Sequence, residues 1–107
     1  MIGRCCLRVS VSLSPSVWMM LTALAAQRRT SVGHEVRRAM HEHPECLTEP
    51  CESRREGMSI VVTLRLRPSQ AKEVLQIPSS ECSRRVNRCC EASLKDASAM
   101  RRRRTQA

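Results

Sequence analysis

Leu7, Val9, Val11 and Leu13 alternate with Arg8, Ser10, Ser12 and Ser14. That is the period of a strand with one buried face. The alternation returns about fifty residues later, where Ile60, Val62, Leu64 and Leu66 alternate with Val61, Thr63, Arg65 and Arg67. Between the two runs the pattern changes to helical. Ser14 followed by Pro15 is a helix cap and first helical residue, so a helix is expected from Pro15 to about Arg29. Gly33 is expected to break it. Val36, Ala39 and Met40 suggest a second helical piece, which Pro44 ends. Residues 44–58 hold Pro44, Pro50, Gly57 and four Glu, and read as an exposed loop.

Pro68 ends the second strand. Ser69 then caps a short predicted helix from Gln70 to Ile77, which Pro78 stops. A longer helix is expected over about 80–103. Its apolar stripe is Cys82, Val86, Cys90, Leu94, Ala97 and Met100, at spacings of four or three. Glu81 near its start and Arg101–Arg104 near its end complement the helix dipole. The fold predicted is a small α+β domain, mainly α with one or two short β-strands and helices packed on one side of the sheet. Partial disorder is the alternative.

Composition thins the expected core. The chain has no Phe and no Tyr, and Trp18 is its one aromatic residue. Its apolar share of 41% comes from Val, Ala, Leu, Met and Cys, which fill less volume than rings. The expected core is therefore aromatic-free, and the composition argues against recognition by ring stacking. A length of 107 residues suits one small domain.

Residues 1–27 also read as a leader. Arg4 and Arg8 precede an uncharged stretch from Val9 to Gln27, and Ala23-Leu24-Ala25 offers a signal-peptidase cut before Ala26. Alternating serines and Pro15 dilute the apolar region, and Arg28 and Arg29 follow the cut directly. A mitochondrial presequence is the second reading, because Arg and Ser are frequent and no acid occurs before Glu35. The third is that the segment is the first strand and the start of the first helix. Residues 28–107 then form a single small basic region. Secretion is the preferred localisation, with mitochondrial or nuclear as alternatives.

Charge is uneven along the chain. The formal net charge is +9, from 17 Arg and 2 Lys against 10 acids. Residues 1–34 carry +4, residues 35–58 carry −2 and residues 59–107 carry +7. This favours an anionic partner such as an acidic membrane, a glycan or nucleic acid. The residues singled out for it are Arg84, Arg85, Arg88, Arg101, Arg102, Arg103 and Arg104, with Val86, Leu94 and Met100 as the apolar face of an amphipathic helix. Two alternatives stand beside that reading. One is an intracellular basic protein that grips nucleic acid through phosphates. The other is the product of an incidental or recently arisen reading frame, without selected activity.

The seven cysteines are Cys5, Cys6, Cys46, Cys51, Cys82, Cys89 and Cys90. An odd count leaves an unpaired thiol for an intermolecular disulfide if the chain is secreted. His41, His43, Cys46 and Cys51 are the densest candidate metal ligands, but H-x-H-x2-C-x4-C is not a standard zinc spacing. No metal or other cofactor is expected. The stretch from Cys82 to Cys90 resembles the closing cysteines of beta-defensins over nine residues. The family's first cysteine is missing, and thirty residues separate Cys51 from Cys82 where the family has a short spacer. No membership follows. Enzyme signatures are absent. Glycines at 3, 33 and 57 alone can build neither a P-loop nor a dinucleotide fingerprint, and no Ser sits in a nucleophile elbow. A non-enzymatic protein with no small-molecule substrate is expected.

Overall fold

The computed structural model describes residues 7–49 and 60–105, with residues 101–105 as helical backbone only. Their order is β1 (Leu7–Leu13), α1 (Pro15–Arg28), α2 (Val32–Glu42), α3 (Glu45–Thr48), β2 (Ile60–Leu66), α4 (Pro68–Leu75) and α5 (Ser79–Thr105). The protein is a small, mostly helical α+β globule with one two-stranded antiparallel sheet.

The two alternating runs pair with each other, with Leu7 opposite Leu66 and Leu13 opposite Ile60. This register puts the apolar positions of both strands on one face. Val11, Leu13, Leu64 and Leu66 are buried there, with Val9 and Val62 packed at the margin. Helices α1, α2 and α5 cover that face with Val17, Leu21, Val36, Ala39, Met40, Val86, Cys89 and Cys90. Each fully buried Leu contributes about 2–3 kcal/mol. The core holds no aromatic ring, and Trp18 packs against its edge.

Local chemistry sets the helix boundaries. Ser14 Oγ accepts from Val17 N, and Pro15 opens α1. The break after α1 falls at Arg29 rather than Gly33. Arg29 adopts the left-handed conformation (φ 57°), and its N–H reaches Ala25 and Ala26 carbonyls. Ser31 then caps α2 through His34 N, which leaves Gly33 inside the helix. The junction is held by Glu35, 2% exposed, which accepts from Arg28 Nη1 at 2.9 Å and from Thr30 Oγ1.

Two further boundaries differ from expectation. Helix α4 starts at Pro68, with Arg67 rather than Ser69 in the cap position. A four-residue helix, α3, occupies the start of the predicted loop, and Leu47 anchors it in the core. The rest of that loop lies outside the described residues.

A two-stranded sheet is marginal in water unless its faces and edges are used. Here the outer edge of β1 is taken by α5. Ser12 N donates to Ser83 Oγ at 2.9 Å, and Ser14 N donates to Asn87 Oδ1 at 3.0 Å. Asn87 Nδ2 donates to Ser12 O and Ser83 O, each at 2.7 Å. The side-chain amide thus meets β1 with a donor and an acceptor, as a third strand would.

Replacing Asn87 with Ala should destabilise the fold by about 2–4 kcal/mol, because it strands buried partners on two elements. Thr63→Ala, on the exposed sheet face, should change stability by less than about 0.5 kcal/mol. Trp18 fluorescence in a urea titration reads both. A single cooperative transition is expected for the parent chain.

Candidate functional site

The long helix divides by environment. Along 27 residues it runs about 40 Å. Its first half lies against α2, α3 and β1. From Lys95 to Met100 only Ala97 is partly covered. The backbone stays helical through Arg101–Arg104 to Thr105.

The first-half arginines work inside the protein. Arg85 is 8% exposed. Its Nη1 donates to Leu47 O at 2.8 Å, and its Nη2 donates to Glu81 Oε1 at 3.2 Å. Arg88 Nη2 donates to Cys46 O at 2.8 Å and to Glu49 O at 2.6 Å. Together they bind the carbonyls at the C-terminal side of α3, where a four-residue helix cannot satisfy its own. Arg84 is half-buried on another side of α5. Of the seven arginines expected to face a partner, Arg85 and Arg88 are thus engaged with α3. The side chains of Arg101–Arg104 lie outside the described residues, and their backbone continues α5 after Met100.

The predicted apolar stripe divides in the same way. Val86 is fully buried, Leu94 is partly covered and Met100 is 60% exposed. Beside Met100 lies a groove of about 480 Å³ between α1 and α5, lined by Met20, Ala23 and Leu24 on one wall and Leu94, Ala97 and Met100 on the other, with Gln27, Arg28 and Ser98 also in its lining. Met19 and Met20 are also exposed on α1. Methionine side chains adapt to irregular apolar surfaces and recur at binding sites. The largely apolar lining is followed along α5 by the four-arginine run. The arginine run was legible in the sequence. The α1 wall was not, because it depends on how two helices separated by about seventy residues pack.

A second basic surface lies on the outer face of the sheet. Ser12 turns both its N–H and its C=O toward α5. Ser12 opposite Val61 is therefore a non-hydrogen-bonded pair, and so, two and four residues along, are Ser10–Thr63 and Arg8–Arg65. Such pairs bring side chains closest together. The Ser10 and Thr63 hydroxyls lie 3.5 Å apart, and Arg8 stands opposite Arg65. Like charges directly opposite each other are destabilising. Neither arginine has a hydrogen bond or ion pair among the described residues.

The candidate metal ligands separate. His41 is exposed on α2. His43 Nδ1 lies 3.3 Å from Glu45 Oε1, and its Nε2 lies 2.9 Å from Asp96 Oδ2, out of line for a hydrogen bond. Both ring nitrogens therefore face carboxylates, which leaves neither to activate the Cys46 thiol. Asp96 was not foreseen as a partner, since no His is near it in sequence. Cys46 turns toward Cys89, and Cys51 lies outside the described residues. Among the described residues, no three of His, Cys, Asp and Glu are grouped to hold a metal ion.

The thiols of α5 lie in apolar surroundings. Burial, reinforced by neighbouring Glu91, pushes Cys90 up to about 12. Burial raises Cys89 further, with Cys46 and Cys90 adding to the effect, and it also raises Cys82.

No protein-family model matches the chain, and neither a curated protein nor a solved structure matches it significantly.

Arg85→Ala should cost about 2–3 kcal/mol, since it leaves Leu47 O and Glu81 without their charged donor. Arg84→Ala should stay within about 0.5 kcal/mol, and urea unfolding followed by circular dichroism compares the two. The buried thiols predict an alkaline limit. An unfolded thiol ionises near 9.0, whereas Cys90 in the folded protein keeps its proton to about 12. The folded state then binds more protons, so stability is intact below pH 9 and falls between pH 9 and 12. The slope is roughly 1 kcal/mol per pH unit for each buried thiol. Cys90→Ala should remove about one thiol's share of that slope.

Proposed function

We propose that this chain is a non-enzymatic binding protein that lies on an acidic membrane surface through the exposed end of α5. The observation that carries the reading is that exposed Met20 and Met100 line one groove and that the helix runs on from Met100 through Arg101–Arg104. Apolar side chains enter the headgroup boundary while arginines meet anionic lipid, and neither alone gives stable attachment. A glycan or a nucleic acid would use the charge but not the methionines. No helix among the described residues is long and apolar enough to cross a membrane. Arg85 and Arg88 contribute by holding the fold.

Nucleic-acid binding is the second reading, and the Arg8–Arg65 pair favours it. A phosphate between two facing guanidiniums would relieve their repulsion, and a two-stranded ribbon fits a major groove. Without rings to stack on bases, such binding rests on phosphates and weakens steeply with salt.

Full-length protein should sediment with phosphatidylserine-containing vesicles and not with phosphatidylcholine vesicles. Changing Arg101–Arg104 to Gln should weaken that binding by at least about 100-fold. Met20→Ser with Met100→Ser should weaken it about 10-fold. Equal binding to both vesicle types would overturn the membrane reading. So would tighter binding to duplex DNA that is lost in Arg8→Gln with Arg65→Gln, and that outcome would establish the second reading.

A further inference from the structure

The cysteines of α5 cannot bridge one another. Cys82 and Cys89 are seven residues apart on one helix, a rise of about 10 Å, whereas bridged Cα atoms lie within about 7 Å. Adjacent Cys89 and Cys90 have Cα atoms about 3.8 Å apart, below the usual lower bound of about 4.4 Å. Among the described cysteines, Cys46 is the one that lies off α5.

Cys46 and Cys89 are brought to the same place. The His43 carbonyl accepts from Cys46 N at 3.1 Å and from Cys89 Sγ at 3.5 Å. Arg88, the neighbour of Cys89, fixes the Cys46 carbonyl at 2.8 Å. The Cys46 thiol is the immediate side-chain neighbour of the Cys89 thiol. Cys46 is half-exposed, and Cys89 is fully buried behind it. Cys90, one position on, is buried without such a partner.

The geometry points to a disulfide between Cys46 and Cys89 that cross-links α3 to α5 when the protein meets a small-molecule disulfide such as oxidised glutathione. Cys46 is the accessible sulfur, so its thiolate attacks first. One glutathione thiolate leaves, and a mixed disulfide forms on Cys46. The Cys89 sulfur gives up its proton to solvent and attacks the Cys46 sulfur, displacing the second glutathione. The protein loses two protons and two electrons, and one glutathione disulfide becomes two glutathione thiols. The bridge reinforces the contact that Arg85 and Arg88 already make, so it closes without moving α3 away.

The test uses full-length protein incubated with oxidised glutathione, alkylated, and cleaved after glutamate. Cleavage after Glu45 and Glu52 releases Cys46 together with Cys51, because the Glu49–Pro50 bond resists cleavage, so the Cys51→Ser variant isolates Cys46. The expected product is that peptide joined to the one bearing Cys89, with fragmentation assigning the link to Cys89 and not Cys90. The loss is about 2 Da per bridge. Cys46→Ser and Cys89→Ser should each abolish the link, and Cys51→Ser should preserve it. The oxidised protein should melt at least about 5 °C above the reduced one. Two outcomes would overturn the inference: a bridge from Cys46 to another cysteine, or an unbridged Cys46–Cys89 pair in protein that still melts cooperatively.

Discussion

The outer edge of β1 is the constraint on which the rest of the structure depends. A strand with one partner presents a row of unmet N–H and C=O groups, and a two-stranded sheet has two such rows. Ser83 and Asn87 close one of them, with hydrogen bonds that join residues 71 to 75 positions apart in sequence. The first and last elements are therefore locked side by side, and the α1–α4 segment must pack within that closure. This fixes which side of α5 faces inward. The side is not purely apolar: Asn87 and Ser93 are buried on it together with Val86, Cys89 and Cys90. A small core without rings gains its specificity here from geometry that only one arrangement satisfies.

The same helix resolves the ambiguity of a basic sequence. Read along the chain, Arg84, Arg85, Arg88 and Arg101–Arg104 look like one population. Packing divides them. Arg85 and Arg88 stand where α3 ends too soon to satisfy its own carbonyls, and a guanidinium fork with an apolar stem suits a buried helix end. Arg101–Arg104 continue the helix after the exposed stretch Ser98–Met100. The outer end is also where the apolar stripe runs out of core to meet. Met100 consequently faces Met20 across an open groove. The four-arginine run and the exposed Met100 are adjacent on α5.

Features with local causes were legible in the sequence. Period-2 alternation located both strands, Ser14-Pro15 located the start of α1, and Pro44 marked the stop just beyond α2. Features with distant causes were not. Helix α3 has no side-chain cap and depends on Arg85 and Arg88 from α5. Gly33 looked like a breaker, yet the Ser31 cap and the Glu35–Arg28 pair place the turn at Arg29, a residue with no local preference for the left-handed region. Pro68 opens α4 because its ring suits a first helical position, while Ser69 is exposed one residue inside. The sulfur pair, the His43–Asp96 contact and the groove each join segments far apart in sequence. Composition identified their chemistry but could not bring them together.

The N-terminal segment ties processing to folding. Residues 7–28 build β1 and α1, which supply Val11, Leu13, Val17 and Leu21 to the core. A cut before Ala26 would remove all four. Leu64 and Leu66 would lose their cross-strand cover, and Asn87 would hold a buried amide against no strand. A chain processed there could not keep this arrangement, so a leader role and a structural role for residues 7–25 are mutually exclusive. The contact between α3 and α5 stands apart from that choice. Cys46, Cys89, Arg85 and Arg88 all lie after residue 28, and their mutual geometry uses no atom of β1 or α1. Like the packing of α2 on α5, it lies wholly outside β1 and α1. In an oxidising compartment, where a leader would deliver the chain, the α3–α5 contact is, among the described residues, the one placed to become covalent.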